Sequence, residues 1–105
     1  MSDRPVVIKL GGDALASPQR IVAQAGRLAR QVAMGPVVAV TSARRGVTDH
    51  LLGLTWEVSV SAGSGPLARP TAALSRSARA ESDRAVATGE IVSASLLALA
   101  LNQLG

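Results

Sequence analysis

Pro5-Val6-Val7-Ile8-Lys9-Leu10-Gly11-Gly12-Asp13 decides how the rest of the chain is read. Its β-branched run has no strict polar alternation, which predicts a central strand covered on both faces, ended by two glycines. Downstream, Ser17-Pro18 supplies an N-cap and a first-turn proline. Ile21, Ala25, Leu28, Ala29 and Val32 then repeat at helical spacing until Gly35-Pro36. Pro36-Val37-Val38-Ala39-Val40-Thr41 repeats the strand signature, so the unit is a parallel βαβ with a right-handed crossover. Both strands deliver loops to the same edge of the sheet.

The second of those loops reads Ser42-Ala43-Arg44-Arg45-Gly46-Val47-Thr48-Asp49. Thr48 is placed to cap a helix carrying Leu51, Leu54, Thr55 and Val58 on one face. Residues 61–70, rich in Ser, Gly and Pro, read as a mobile surface loop within a single domain, 1–105. A polar helix is expected over 71–87. Thr88-Gly89-Glu90 breaks the pattern, and a last helix over 91–104, apolar almost all round, must be buried. Two buried-type strands leave a sheet with open edges and give that helix little to pack against. The sequence is therefore expected to be an incomplete domain.

With 105 residues, nearly half of them hydrophobic, no Phe or Tyr and a single Trp, the core must be built from Ala, Val, Leu and Ile. Trp56 is expected at its edge and Met34 packed near a turn. The absence of cysteine excludes a disulfide framework and thiolate metal ligation. His50 has no second His or Cys to join it as a metal ligand and reads as a surface residue. The opening residues have no signal-peptide pattern, and the apolar stretch 91–101 is too short to span a bilayer, so a cytoplasmic protein without membrane contact is expected. The net charge of +4 invites nucleic acid as a partner, but the arginines are scattered and form no stripe, which argues against it. Of eleven basic residues ten are arginine, leaving Lys9 as the lone lysine.

Three constellations carry possible chemistry. Lys9, Gly11 and Gly12 combine a compact charge with glycines that let successive backbone N–H groups converge on an anion. They match neither a P-loop nor a dinucleotide fingerprint, and taken alone they read first as a strand-end turn with an extended lysine. Ser42 and Thr48, with a helix N-terminus, can hold a carboxylate or phosphate, although capping alone explains Thr48. Glu90 either receives a substrate ammonium group or complements a helix dipole.

Taken in order, KLGGDAL, SARRGVTDHLLGL and TGEIVSASLLALALNQLG resemble the first part of an aspartokinase, of the amino-acid-kinase family. That family opens with a strand ending K-F-G-G-T-S, continues to S-A-x-x-G-x-T, and later carries G-E at the head of an apolar helix. The resemblance implies an α/β fold, the parallel βαβ start of a carbamate-kinase-like three-layer sandwich. It implies ATP and Mg2+, with Lys9 on the transferred γ-phosphoryl group, Gly11 and Gly12 stabilising its charge, and Asp13 completing the phosphate-binding turn. It also implies Ser42 and Thr48 orienting aspartate, Glu90 receiving its amino group, and an acyl phosphate product; the open sheet edges point to either a homo-oligomer or a complementary kinase subunit as partner.

Two departures from the family pattern stand out. Asp13 and Ala14 replace the threonine and serine, so a carboxylate lies near expected phosphate oxygens and should repel ATP unless it holds a metal. Arg44-Arg45 replaces small residues and would either recruit an acidic substrate or block the pocket. These departures motivate a second expectation, a non-catalytic kinase-like subunit that acts by interaction or regulation.

Overall fold

The computed structural model describes residues 3–63 and 76–105. Strand β1 (Val6–Leu10) and strand β2 (Val37–Thr41) are joined through helix α1 (Pro18–Val32), and helices α2 (Val47–Gly63) and α3 (Arg76–Leu104) follow. The strands pair in parallel from Val6 opposite Val37 to Leu10 opposite Thr41, as the βαβ reading requires. Ser17, with extended backbone, caps α1 by accepting the Arg20 N–H at 3.2 Å, and Pro18 follows it. At the other end of α1, Met34 and Gly35 donate to Gln31 and Val32, and the Pro36 carbonyl takes the Val6 N–H at 3.0 Å. The helix end thus leads directly into the sheet.

Leu10, Leu15, Ile21, Ala25, Leu28 and Leu97 form the buried core, bordered by Ile8, Val37, Leu96, Ala100 and Leu101. Full burial of a leucine such as Leu15 contributes about 1.5–3 kcal/mol. Of the expected α1 stripe, Ile21, Ala25 and Leu28 point into this core, while Ala29 and Val32 face outward. The described residues cover one face of the sheet and not the other: Val7, Val38 and Val40 are 66%, 50% and 46% exposed, and Lys9 shares their face by strand alternation. The expectation of strands covered on both faces is thereby corrected. The described residues supply a helical layer on one side, and α2 packs on α3 rather than across the strands.

Helix α3 is the larger correction. A polar helix, a break at 88–90 and a second helix were expected, yet residues 76–104 form one helix of 29 residues. Gly89 does not break it, because the missing side chain serves close approach to another segment instead, and the Thr88 hydroxyl folds back onto the Ala85 carbonyl at 2.6 Å. Nor is its apolar half sequestered. Gly89, Ser93 and Leu97 are buried along one stripe, but Ile91 and Leu99 are 65% and 57% exposed. By length and composition α3 is able to cross a membrane, contrary to the shorter apolar stretch inferred from sequence; its buried stripe packs on α1 and α2.

Helix α2 begins one residue before Thr48, which is therefore not its cap. Gly46, at φ 83°, turns the chain, and its carbonyl accepts the first helical bond from the His50 N–H at 3.0 Å. No α2 residue is fully buried: Leu51 and Thr55 are half-buried while Leu54 and Val58 are exposed. Trp56, expected at the core edge, is 68% exposed, and Met34 is likewise outside the core. Residues 61–63 close α2; the remainder of the expected 61–70 loop, 64–70, lies outside the described residues.

Candidate functional site

The loops that follow the two strands are joined through their backbones. The ladder runs past Leu10, whose carbonyl accepts the Ser42 N–H at 3.0 Å. The Gly12 carbonyl then accepts two N–H groups, from Leu15 at 3.3 Å and from Arg45 at 3.2 Å. Gly12 is needed for that proximity, since a Cβ there would stand 2.9 Å from the Ala43 carbonyl oxygen. Gly11 is under no such demand, with nothing within 4 Å of the equivalent position. Among the described residues the N–H groups of Gly11 and Gly12 find no hydrogen-bond acceptor, so both remain able to donate to an anion.

The third segment meets the other two at Ala43. A Cβ on Gly89 would lie 3.0 Å from both Ala43 Cβ and Val47 Cγ1, and Ala43 itself is buried. Ala43 thus has the Gly12 backbone against its carbonyl and the Gly89 backbone against its side chain. Glu90 follows Gly89 on α3 and Thr48 follows Val47 on α2, both exposed, while Ser42 is half-buried beside Ala43. Lys9 is exposed on the open face of the sheet, opposite Val40, with no side-chain partner among the described residues. Ser42 extends the β2 alternation onto that same face. The seven candidates, Lys9, Gly11, Gly12, Asp13, Ser42, Thr48 and Glu90, are therefore distributed over three segments that meet around Ala43.

The two arginines of the second loop have separate partners. The Arg44 guanidinium donates through Nε to the Leu15 carbonyl at 2.9 Å and through Nη2 to the Ala16 carbonyl at 3.1 Å. It is engaged with the backbone of the first loop. Arg45 lies 3.4 Å from the Asp13 carboxylate in an exposed ion pair. Asp13 therefore carries a protein counter-charge, and the two departures from the family pattern face one another. The sequence offered no signal for either contact, because each links positions about 30 residues apart through loops.

No cluster of three or more His, Cys, Asp or Glu able to hold a metal occurs among the described residues. Beside the Gly11-Gly12 turn the described carboxylate is Asp13, paired with Arg45, so a magnesium ion there would depend mainly on oxygens supplied by its ligand and by water.

A parallel βαβ unit whose glycine-bearing loops meet at the carboxyl edge of its strands is the arrangement of ligand-binding α/β proteins. The chain belongs to the amino acid kinase family, whose model matches residues 4–105. It is 37% identical over 99 residues to the aspartokinase of Rickettsia prowazekii (strain Madrid E), covering 93% of this chain and 20% of that protein. It is 36% identical over 101 residues to the aspartokinase of Bacillus sp. (strain MGA3), covering 95% and 21%. The fold matches a crystal structure of aspartate kinase from Synechocystis with a TM-score of 0.73 at 33% identity, over 93% of this chain and 14% of that one. The chain thus spans about one fifth of the length of the curated relatives it matches. The family and the partial α/β fold implied by the three motifs agree with these similarities.

Proposed function

We propose that this chain provides the Lys9, Ser42, Thr48 and Glu90 portion of an aspartokinase-type active site, completed by the part of an amino-acid-kinase domain that the longer relatives possess. The observation that carries the reading is the contact of both Gly12 and Gly89 with the loop at Ala43, which brings three separate sequence segments to one sheet edge. The likeness to the two aspartokinases supports aspartate as the substrate and ATP as the phosphoryl donor.

In this reading the Lys9 ammonium and the free N–H groups of Gly11 and Gly12 take the γ-phosphoryl oxygens, where negative charge must be stabilised in the transition state. Ser42 and Thr48 orient the substrate carboxylates, and Glu90 receives the ammonium group. A β-carboxylate oxygen of aspartate attacks phosphorus in line. The bond from phosphorus to the β–γ bridging oxygen breaks, ADP leaves with that electron pair, and an acyl phosphate forms. Magnesium, when bound, supplies charge neutralisation on the nucleotide phosphates.

The test is complementation. The chain is mixed with the C-terminal portion of the Rickettsia prowazekii aspartokinase, and acyl phosphate is trapped with hydroxylamine. Hydroxamate that requires both pieces, ATP and aspartate is expected; none in the assembled mixture would defeat the proposal.

A second reading is a non-catalytic subunit that pairs with another kinase chain. The exposed valines Val7, Val38 and Val40 favour it, since an open apolar sheet face is a natural interaction surface. Under that reading the same mixture assembles but forms no hydroxamate.

A further inference from the structure

Arg44 occupies one of the three unspecified positions in the S-A-x-x-G-x-T pattern, yet its side chain reaches back to residues 29 and 28 positions earlier in the chain. Its guanidinium leaves the second loop and crosses to the first. There Nε and Nη2 meet the carbonyl oxygens of the consecutive residues Leu15 and Ala16 at 2.9 and 3.1 Å, in a half-buried setting. Neither carbonyl takes a backbone N–H outside regular structure. The planar fork suits two adjacent acceptors, whereas a lysine ammonium at the end of a flexible stem does not reproduce the pair. A few residues away, the Arg45 N–H holds the Gly12 carbonyl at 3.2 Å. The first loop is consequently held to the second at Gly12 by backbone, at Asp13 by an exposed ion pair with Arg45, and at residues 15–16 by the Arg44 side chain.

We propose that Arg44 is a positioning residue: its guanidinium clamps the loop of residues 11–17 onto the loop of residues 42–46 and so sets the distance between the Gly11-Gly12 amides and Ser42. The assignment of those groups to phosphate and substrate rests on the function proposed above. The clamp itself rests on the contacts alone. Arg44 touches neither substrate nor phosphate, so it acts on the rate through geometry. Its loss leaves two half-buried carbonyls without donors, while the first loop keeps the Gly12 bond, the exposed Asp13–Arg45 pair and the burial of Leu15.

The experiment compares wild type, Arg44→Ala and Arg44→Lys by hydrogen exchange of the 105-residue chain, following peptides over residues 10–20, with α3 peptides as the control for global unfolding. Exchange in residues 10–20 is expected to rise about ten- to hundredfold in Arg44→Ala, as loss of one or two half-buried hydrogen bonds implies. Arg44→Lys should give nearly the same rise, and millimolar methylguanidinium should restore protection in Arg44→Ala. If Arg44→Ala unfolds throughout, Arg44→Lys decides. Wild-type protection in the lysine variant overturns the clamp, as does a wild-type loop that exchanges as fast as an unstructured peptide.

In the complemented kinase the same variants should lower kcat about tenfold or more while changing KM for aspartate less than about threefold; a rise confined to KM would mark a direct substrate contact and overturn the proposal. Absence of wild-type hydroxamate with the exchange result intact defeats the functional reading and leaves the clamp standing.

Discussion

Gly89 lies against Ala43 so closely that a Cβ at position 89 would sit 3.0 Å from the Ala43 Cβ. This contact joins the middle of α3 to the loop after β2 and to the first turn of α2. A glycine inside a helix ordinarily costs about 0.5–1 kcal/mol relative to alanine. Here that cost accompanies a steric need, and the need can be measured.

Gly89→Ala should therefore destabilise the chain by about 1–3 kcal/mol, because Ala43, Val47 and Leu51 all crowd the added methyl. Gly53→Ala, in α2 with nothing within 4 Å of the new Cβ, should stabilise by about 0.5–1 kcal/mol. Denaturant midpoints of the two variants check the prediction, and shifts of the same sign would contradict it.

Gly11 and Gly12 should separate in the same manner. Gly12→Ala forces a Cβ to 2.9 Å from the Ala43 carbonyl, so the two loops must move apart; Gly11→Ala meets nothing. In the complemented kinase Gly12→Ala is expected to lower kcat/KM about a hundredfold, the penalty of misplacing groups that must align with a phosphoryl oxygen. Gly11→Ala should stay within about fivefold of wild type, since its N–H is retained. Equal losses would remove the distinction that the geometry draws.

The pattern of what was legible in the sequence follows from the range of the interactions. Strand β1, the Ser17-Pro18 start of α1 and the parallel crossover could be read because β-branched runs, caps and helical spacing are local signals. The segment 88–90 was misread because glycine marks both helix ends and close approaches, and only the presence of Ala43 and Val47 beside it decides between them. Ile91 and Leu99 were expected inside because hydropathy records what favours burial, not whether a partner is at hand. Arg44 was invisible for a related reason: its acceptors are backbone carbonyls 28 and 29 residues away, and carbonyls carry no sequence identity.

Asp13 and Arg45 form an exposed pair, so their mutual contribution to stability should not exceed about 1 kcal/mol. Their effect on a polyanion should be larger than that on folding. Removing Arg45 leaves the Asp13 carboxylate uncompensated near the Gly11-Gly12 amides. Arg45→Ala should accordingly raise KM for ATP several-fold, by roughly three- to tenfold at low salt. Asp13→Thr/Arg45→Ala should recover most of that loss, and raising sodium chloride to about 0.5 M should shrink the single-variant effect. A double variant as impaired as Arg45→Ala would show that Arg45 acts on ATP by itself and not through Asp13.

Lys9→Ala separates the two functional readings. The ammonium sits on the open sheet face without a side-chain partner among the described residues, so its removal breaks no internal contact, and stability should change by no more than about 0.5 kcal/mol. If Lys9 stabilises charge on the migrating phosphoryl group, its loss should reduce kcat of the complemented kinase by about a hundred- to a thousandfold, with a much smaller effect on KM for aspartate. Lys9→Arg should recover little, because a broad planar fork does not replace a compact point charge in that position. Should the chain instead serve as a non-catalytic subunit of a kinase whose active site lies in another chain, both variants would assemble with their partner and leave its turnover unchanged. Stability, assembly and hydroxamate formation measured on the same preparations distinguish these outcomes, since a folding defect would alter all three together whereas loss of a phosphoryl contact alters only the last.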